Sequence, residues 1–266
     1  VYGSIGVGAK PDVEEVAIHD PAEHAAMALK GMLEARGIVV TGVARAEHRI
    51  SNDTTDLVKE SREPLTVMGG GCGGCGGRVA AGEVVLASHG SEALREDVVV
   101  TNKESQNLHA ELMLRRMGAQ LGTDGSFAQG ARVVRWFLTT KAGVDGDDFV
   151  FFDGSGLSGH DLVAPRATAR LLQYAATQPW FGAWRGSLPV GGVDGSLEHR
   201  FAKDGVKGKV FAKTGTTGEV RALSGYLECA SGRTVVFSIM VNDHTPRTSA
   251  DRTAMDKIVA AIAAAE

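Results

Sequence analysis

Two short groups of side chains in this sequence have the types and spacing to do chemistry together. The first is Phe211-Ala212-Lys213-Thr214-Gly215-Thr216-Thr217-Gly218. A cation, hydroxyls and a glycine follow the alternating Lys209-Val210-Phe211, which predicts a strand carrying Lys213 and Thr214 into a cleft. Gly215 removes a side chain where something must lie close to the backbone. An ammonium, hydroxyls and a bare strand edge suit a peptide that ends in a carboxylate. The cation supplies charge, the hydroxyls supply hydrogen bonds, and the edge pairs with an extended ligand. The second group is Ser105-Gln106-Asn107. Leu108, Leu112 and Arg115 share a helical face after it, so Ser105 and Asn107 stand at the start of a helix, where polar side chains can point into a cleft. The plain alternative is that Ser105 is only an N-cap and Asn107 an incidental first-turn residue.

Other candidate motifs fail on their own chemistry. Gly3 to Lys10 has the glycines of a phosphate loop, but no serine or threonine follows the lysine. Asp153-Gly-Ser-Gly-Leu-Ser158 does not meet G-x-S-x-G and reads as a tight turn whose aspartate and serines bond the backbone. Cys72 and Cys75 form one CxxC inside a glycine cluster, Met68 to Gly77, with no second ligand pair at metal spacing. A flexible linker is the better account of that cluster.

The elements that must position the two groups follow from periodicity. Residues 1–50 read as a βαβ-type piece: a strand over Val13 to Ile18, an Asp20-Pro21 helix start, an apolar helical face from Ala25 to Leu33, Gly37 as a stop, and a strand over Ile38 to Val43. Residues 51–82 form the least organised stretch. Glu83 to Ser88 reads as a strand, and Leu94 to Val100 is apolar enough to be buried. The helix after Asn107 should end at Gly118. A second amphipathic helix spans Phe127 to Ala142 and stops at Gly143, Phe149 to Phe152 forms a buried strand, and Pro165 opens a helix through Tyr174. Leu188 to Leu197 is a glycine-rich loop. Strands over Ala222 to Glu228 and Thr234 to Val241 turn at Gly232, and Ala254 to Ala265 is a terminal helix. Helices followed by antiparallel strands define an α+β architecture.

Composition excludes some functions. With 43% hydrophobic and 23% charged residues the 266-residue chain is ordinarily globular. A net charge of −4 gives no electrostatic footprint for nucleic acid. No apolar run approaches the ~18 residues of a membrane span.

Ser105-Gln106-Asn107 followed by Lys213-Thr214-Gly215 is the order of the second and third motifs of penicillin-binding proteins. With Asn102-Lys103 through Leu114, Asp153 to Ser158, Leu188 to Leu197 and Ala212 to Gly218, residues 83–266 resemble a serine-type D-alanyl-D-alanine carboxypeptidase/endopeptidase. The likeness is to low-molecular-mass penicillin-binding proteins with inserted domains. It implies an α+β penicillin-binding/β-lactamase-like transpeptidase domain, an antiparallel sheet flanked by helices, over 83–266. Residues 1–50 would be part of an inserted domain and 51–82 a Gly-rich linker.

The resemblance also implies roles. A serine nucleophile attacks a D-Ala-D-Ala bond of a peptidoglycan stem peptide and forms an acyl-enzyme, which β-lactams intercept. Ser105 would relay a proton to the leaving D-alanine, and Asn107 would hold a substrate amide. Lys213 would supply positive potential, Thr214 and Thr216 would bind the terminal carboxylate, and Gly215 would keep the strand edge open. The backbone N–H of Thr216 would form half of an oxyanion hole. No metal or organic cofactor is required, and the setting would be periplasmic or extracytoplasmic. One motif is absent: no serine or threonine here has lysine at the third following position. The resemblance therefore reads as a carboxy-terminal fragment that does not acylate alone. The alternatives are a non-catalytic peptidoglycan-binding paralogue and a β-lactamase of the same fold, the latter disfavoured by residues 1–50.

Overall fold

The computed structural model describes residues 3–11, 18–49, 53–65, 84, 87–203, 205–245 and 248–266. The chain divides into two compact units, Val1–Ile50 and Ser51–Glu266. The first unit holds helix α1, Pro21–Glu34, started as its sequence predicts: the Asp20 carboxylate accepts the Glu23 N–H at 3.0 Å and proline follows. That amide, and His48 at 2.7 Å, hold the Asp20 carboxyl below its ordinary range. No residue of α1 is buried.

In the second unit the helices are α2 Thr54–Ser61, α3 Leu94–Lys103, α4 Asn107–Leu121, α5 Phe127–Thr140, α6 Pro165–Ala176, α7 Phe181–Ser187 and α8 Ala250–Ala265. The strands are β1 Phe149–Val150, β2 Leu162–Val163, β3 Val210–Thr217, β4 Val220–Glu228 and β5 Thr234–Val241. The main sheet is antiparallel in the order β3-β4-β5, with Lys213 opposite Ser224 and Thr216 opposite Arg221. Side chains alternate across it. Val210, Ala212, Leu223, Leu227 and Phe237 face Met255, Val259 and Ala263 of α8. On the other face Phe211, Tyr226 and Val236 pack with Leu172, Phe181, Trp184 and Leu188. Tyr226 is fully buried, and its hydroxyl donates to the Leu172 carbonyl at 2.8 Å. Each such side chain contributes about 1.5–3 kcal/mol by leaving water. A further core of Leu138, Ala142, Val144, Phe149 and Ala167 joins α5, β1 and α6. The result is the α+β sheet with flanking helices that the sequence predicts.

Several local expectations need correction. Residues 38–43 form no strand; Val39 and Val43 are exposed, so no burial favours an extended ladder there. Residues 13–17 of the strand expected at 13–18 lie outside the described residues, as do Cys72, Cys75 and the glycine cluster, and Ile18 is described and is not strand. Residues 84, 87 and 88 are described and are not strand. Part of the 51–82 stretch is ordered: Asp53 caps α2 through the Thr55 N–H at 2.7 Å, and α2 packs on α5. Leu94, expected inside, is 69% exposed in the first turn of α3. The strand at Phe149 stops at Val150, because Phe152 turns its N–H to Asp161 Oδ1 at 2.7 Å instead of to a ladder.

Gly118 does not end α4. It lies inside the helix, where a Cβ would stand 2.7 Å from the Gly130 backbone nitrogen and 2.9 Å from the Asp124 carbonyl. A Cβ on Gly130 would in turn meet the Leu114 carbonyl at 2.6 Å. These glycines let α4 and α5 cross at backbone contact, and α4 ends at Leu121 before Gly122. That crossing fixes the helix whose first residue is Asn107.

Candidate active site

Ser105 occupies the bend between α3 and α4 with a left-handed backbone, φ 57°. For a residue with a Cβ that conformation costs roughly 1–2 kcal/mol. It turns the hydroxyl away from the helix start, so Ser105 is not the cap. Gln106 is, accepting the Leu108 N–H at 3.3 Å. Ser105 Oγ instead accepts from Lys213 Nζ at 2.7 Å. The same ammonium donates to the Thr214 carbonyl at 2.8 Å. Burial lowers the Lys213 pKa from the ordinary lysine value. Among the described residues it has no carboxylate partner. The result is a partly desolvated cation whose field is free to act on a ligand.

Strand β3 is an edge of the sheet, and its backbone alternation decides what faces the opening. Ala212 N–H donates outward to Pro189 O at 3.0 Å, and Val210 O accepts from Gly191 N–H at 2.9 Å. Lys209 O points the other way, to Glu228 N–H at 2.9 Å. Two and four residues beyond Ala212, the N–H and C=O of Thr214 and Thr216 therefore face the same outer edge. Past residue 212 no described strand covers that edge. Gly215 and Thr216 are exposed. Asn107 opens α4 with an exposed side chain that has no hydrogen-bond partner among the described residues.

The structure thus joins Ser105 to Lys213 on β3, with Thr214, Gly215 and Thr216 following along the same open strand edge, and sets Asn107 two residues after Ser105 at the start of α4. The segment 188–197, which the sequence marks as a glycine-rich loop, ties α3 to β3. On one side it bonds β3, with Val190 bridging Phe211. On the other, Lys103 Nζ at the end of α3 donates to Asp194 Oδ2 at 2.5 Å and to the Leu188 carbonyl at 3.1 Å. Asp194 Oδ1 accepts the Val190 N–H at 2.9 Å. Buried Asn102 donates to Ser187 Oγ at 2.8 Å. The sequence alone assigns no role to Lys103, Asp194 or Ser196, and the Asp-Gly-Ser turn at 194–196 is a local signal for the last two only.

The turn Asp153 to Ser158 is built as expected and one contact more. Asp153 accepts the Gly156 and Ser158 N–H groups at 2.7 and 2.6 Å. Glu111 of α4 accepts the Gly154 and Ser155 N–H groups at 3.0 and 3.1 Å and the Ser155 hydroxyl at 2.6 Å. Glu111 lies one turn after Asn107, so this turn braces the first turns of α4. Among the described residues, no cluster of His, Cys, Asp and Glu could hold a metal ion, and no helix is long and apolar enough to cross a membrane.

An edge strand bearing Lys-Thr-Gly beside a helix start bearing Ser-x-Asn is an arrangement of the penicillin-binding proteins. The family model for D-Ala-D-Ala carboxypeptidase 3 (S13) matches residues 75–264, and the chain belongs to that family. The D-alanyl-D-alanine carboxypeptidase of Actinomadura sp. (strain R39) is 34% identical over 245 residues, 90% of this chain and 45% of that protein. The D-alanyl-D-alanine carboxypeptidase DacB of Haemophilus influenzae is 30% identical over 164 residues, 60% of this chain and 34% of that one. Two crystal structures of penicillin binding protein 4 (dacB) from H. influenzae match the fold at TM-scores of 0.56 and 0.55 and 26% identity. They cover 64% of this chain and 38% and 40% of theirs, and the second is complexed with a novel β-lactam. The chain spans less than half the length of these relatives.

Proposed function

We propose that this chain provides the carboxylate-binding, electrostatic wall of a serine-type D-Ala-D-Ala carboxypeptidase/endopeptidase centre acting on peptidoglycan stem peptides. The observation that carries the proposal is the Lys213–Ser105 contact at 2.7 Å beside an open strand edge. In this reading Lys213 attracts the terminal carboxylate, and Thr214 and Thr216 hydrogen-bond it. The substrate lies antiparallel along β3, where the outward N–H of Thr216 stabilises the tetrahedral oxyanion. Ser105, already hydrogen-bonded to an ammonium, passes a proton to the departing D-alanine. Asn107 holds a substrate amide. β-Lactams inhibit by the same acylation, and the setting is periplasmic or extracytoplasmic, where peptidoglycan lies.

The acylating serine would come from an S-x-x-K element that these 266 residues do not contain. Labelling with a fluorescent penicillin tests this. The 266-residue chain alone stays unlabelled, and a longer form carrying S-x-x-K labels covalently. Stoichiometric labelling of the chain alone, or none of a form that carries the motif, overturns the proposal. The missing motif also favours a second reading, a non-catalytic peptidoglycan-binding protein. Retention on peptidoglycan by a natural full-length form without S-x-x-K would select it.

A further inference from the structure

Ser196 is exposed on the short 3-10 turn Gly195–Leu197, and its Oγ lies 2.8 Å from Thr214 Oγ1. We infer that Ser196 is a further ligand-binding residue, forming with Thr214 a two-hydroxyl fork for the terminal carboxylate of a peptide; this rests on the reading of the site given above. Each hydroxyl has one proton and two acceptor positions, and its proton rotates to suit its surroundings. At this distance one hydroxyl donates to the other. A carboxylate accepts only, so on its arrival both protons can turn outward, one to each oxygen. The carboxylate's own charge makes these bonds strong, and the Lys213 ammonium, on the residue next to Thr214, adds attraction for the anion.

The loop is built to present Ser196 rigidly. Leu197 is fully buried in the core beneath the turn. Gly195 has φ 57°, and a Cβ there would stand 3.0 Å from the Lys103 carbonyl, so the turn rests directly on the end of α3. Asp194 is held by Lys103 Nζ and by the Val190 N–H. A hydroxyl fixed in this way loses little conformational freedom when it binds. Ser196 therefore adds a third element to the site, beside the helix start and the edge strand.

The test is equilibrium binding to the 266-residue chain of an acetylated peptide ending in D-Ala-D-Ala and of the same peptide with a C-terminal amide, read by calorimetry or amide shifts. Ser196→Ala should weaken the acid about tenfold, ~1.4 kcal/mol, and leave the amide within about twofold. Ser196→Thr, which keeps the hydroxyl, should bind the acid like the unmodified chain. If Ser196→Ala binds the acid unchanged while Lys213→Ala weakens it, the fork is wrong and the site reading stands. If the unmodified chain binds neither peptide, or Lys213→Ala leaves acid binding unchanged, both fall.

Discussion

Lys213 and Ser105 lie 108 residues apart in sequence, yet Nζ of one donates to Oγ of the other at 2.7 Å. Two structural features make the contact. The left-handed backbone at Ser105 aims its hydroxyl away from α4, and the 188–197 segment joins α3 to β3 through Lys103, Asp194 and Val190. Because the ammonium is partly desolvated and meets no carboxylate among the described residues, its interaction with an arriving anion is stronger than at a surface lysine.

Lys213→Ala should therefore damage ligand chemistry far more than folding. In a form that carries S-x-x-K, removing a charge-assisted hydrogen-bond donor of ~1.5–3 kcal/mol should slow β-lactam acylation by roughly 10–100-fold. The melting temperature should hold, since among the described residues the lost ammonium bonds Ser105 and the Thr214 carbonyl and no other group. Stopped-flow or gel-based acylation beside thermal unfolding measures both. Acylation near the unmodified rate would remove Lys213 from the site.

The sequence disclosed those parts of the molecule whose signals are local. Alternation at Lys209-Val210-Phe211 marks β3, Asp20-Pro21 marks α1, and Ser231-Gly232-Arg233 marks the β4–β5 turn, where Gly232 has φ 84°. Long-range packing was not legible. Gly118 looks like a helix stop because glycine usually is one, yet here it serves a crossing with Gly130, whose partner residue is not visible from its own neighbourhood. Leu94 to Val100 reads as buried from apolarity alone, while exposure depends on which face finds a neighbour. Lys103 and Asp194 carry no catalytic signature, since a strut needs only charge and reach. Helix α7 was missed because seven residues with two glycines give too little periodicity.

The α4–α5 crossing yields opposite signs for one kind of substitution. At Gly118 an added methyl would meet the backbone of Gly130 and Asp124, which cannot rotate away. Gly118→Ala should destabilise by about 1–3 kcal/mol even though alanine is the better helix former. At Gly182 in α7 nothing lies within 4 Å of the new Cβ. Gly182→Ala should be neutral or stabilise by up to ~1 kcal/mol. Urea unfolding of the two variants compares them directly, and equal effects would mean the crossing is looser than described.

Stability should decline toward alkaline pH through Asp161. Burial pushes its carboxyl up to about 7 from 3.8, and the adjacent Asp153 carboxyl adds to the rise, while the Phe152 N–H opposes it. The folded state thus holds a proton that the unfolded chain has released. This contribution is full below the unfolded value and is lost as pH rises through about 7. Asp161→Asn keeps the acceptor for Phe152 without the ionisation. Its melting temperature should fall less between pH 5 and pH 8, by at most about 2–4 °C, because the exposed side of the carboxyl is screened. Identical pH profiles would assign the decline to another group.

The sharpest test of the β3 edge concerns a backbone proton. Alternation along the strand turns the N–H of Thr216 outward, away from its ladder with Arg221 on β4. Proline, which lacks an N–H, is tolerated on edge strands where that group faces solvent. Thr216→Pro should therefore leave the β3–β4 ladder paired and the fold cooperative. If the outward N–H is the oxyanion donor, the same variant should lower acylation by about 10²–10³ in a form that carries S-x-x-K. Thr216→Ala serves as the control: it keeps the N–H and loses only the hydroxyl, so its loss should be the smaller and fall mainly on carboxylate-bearing ligands. Acylation by the proline variant within a few-fold of the alanine variant would show that the Thr216 N–H plays no part in the chemistry, and the oxyanion site would have to be sought elsewhere on the edge.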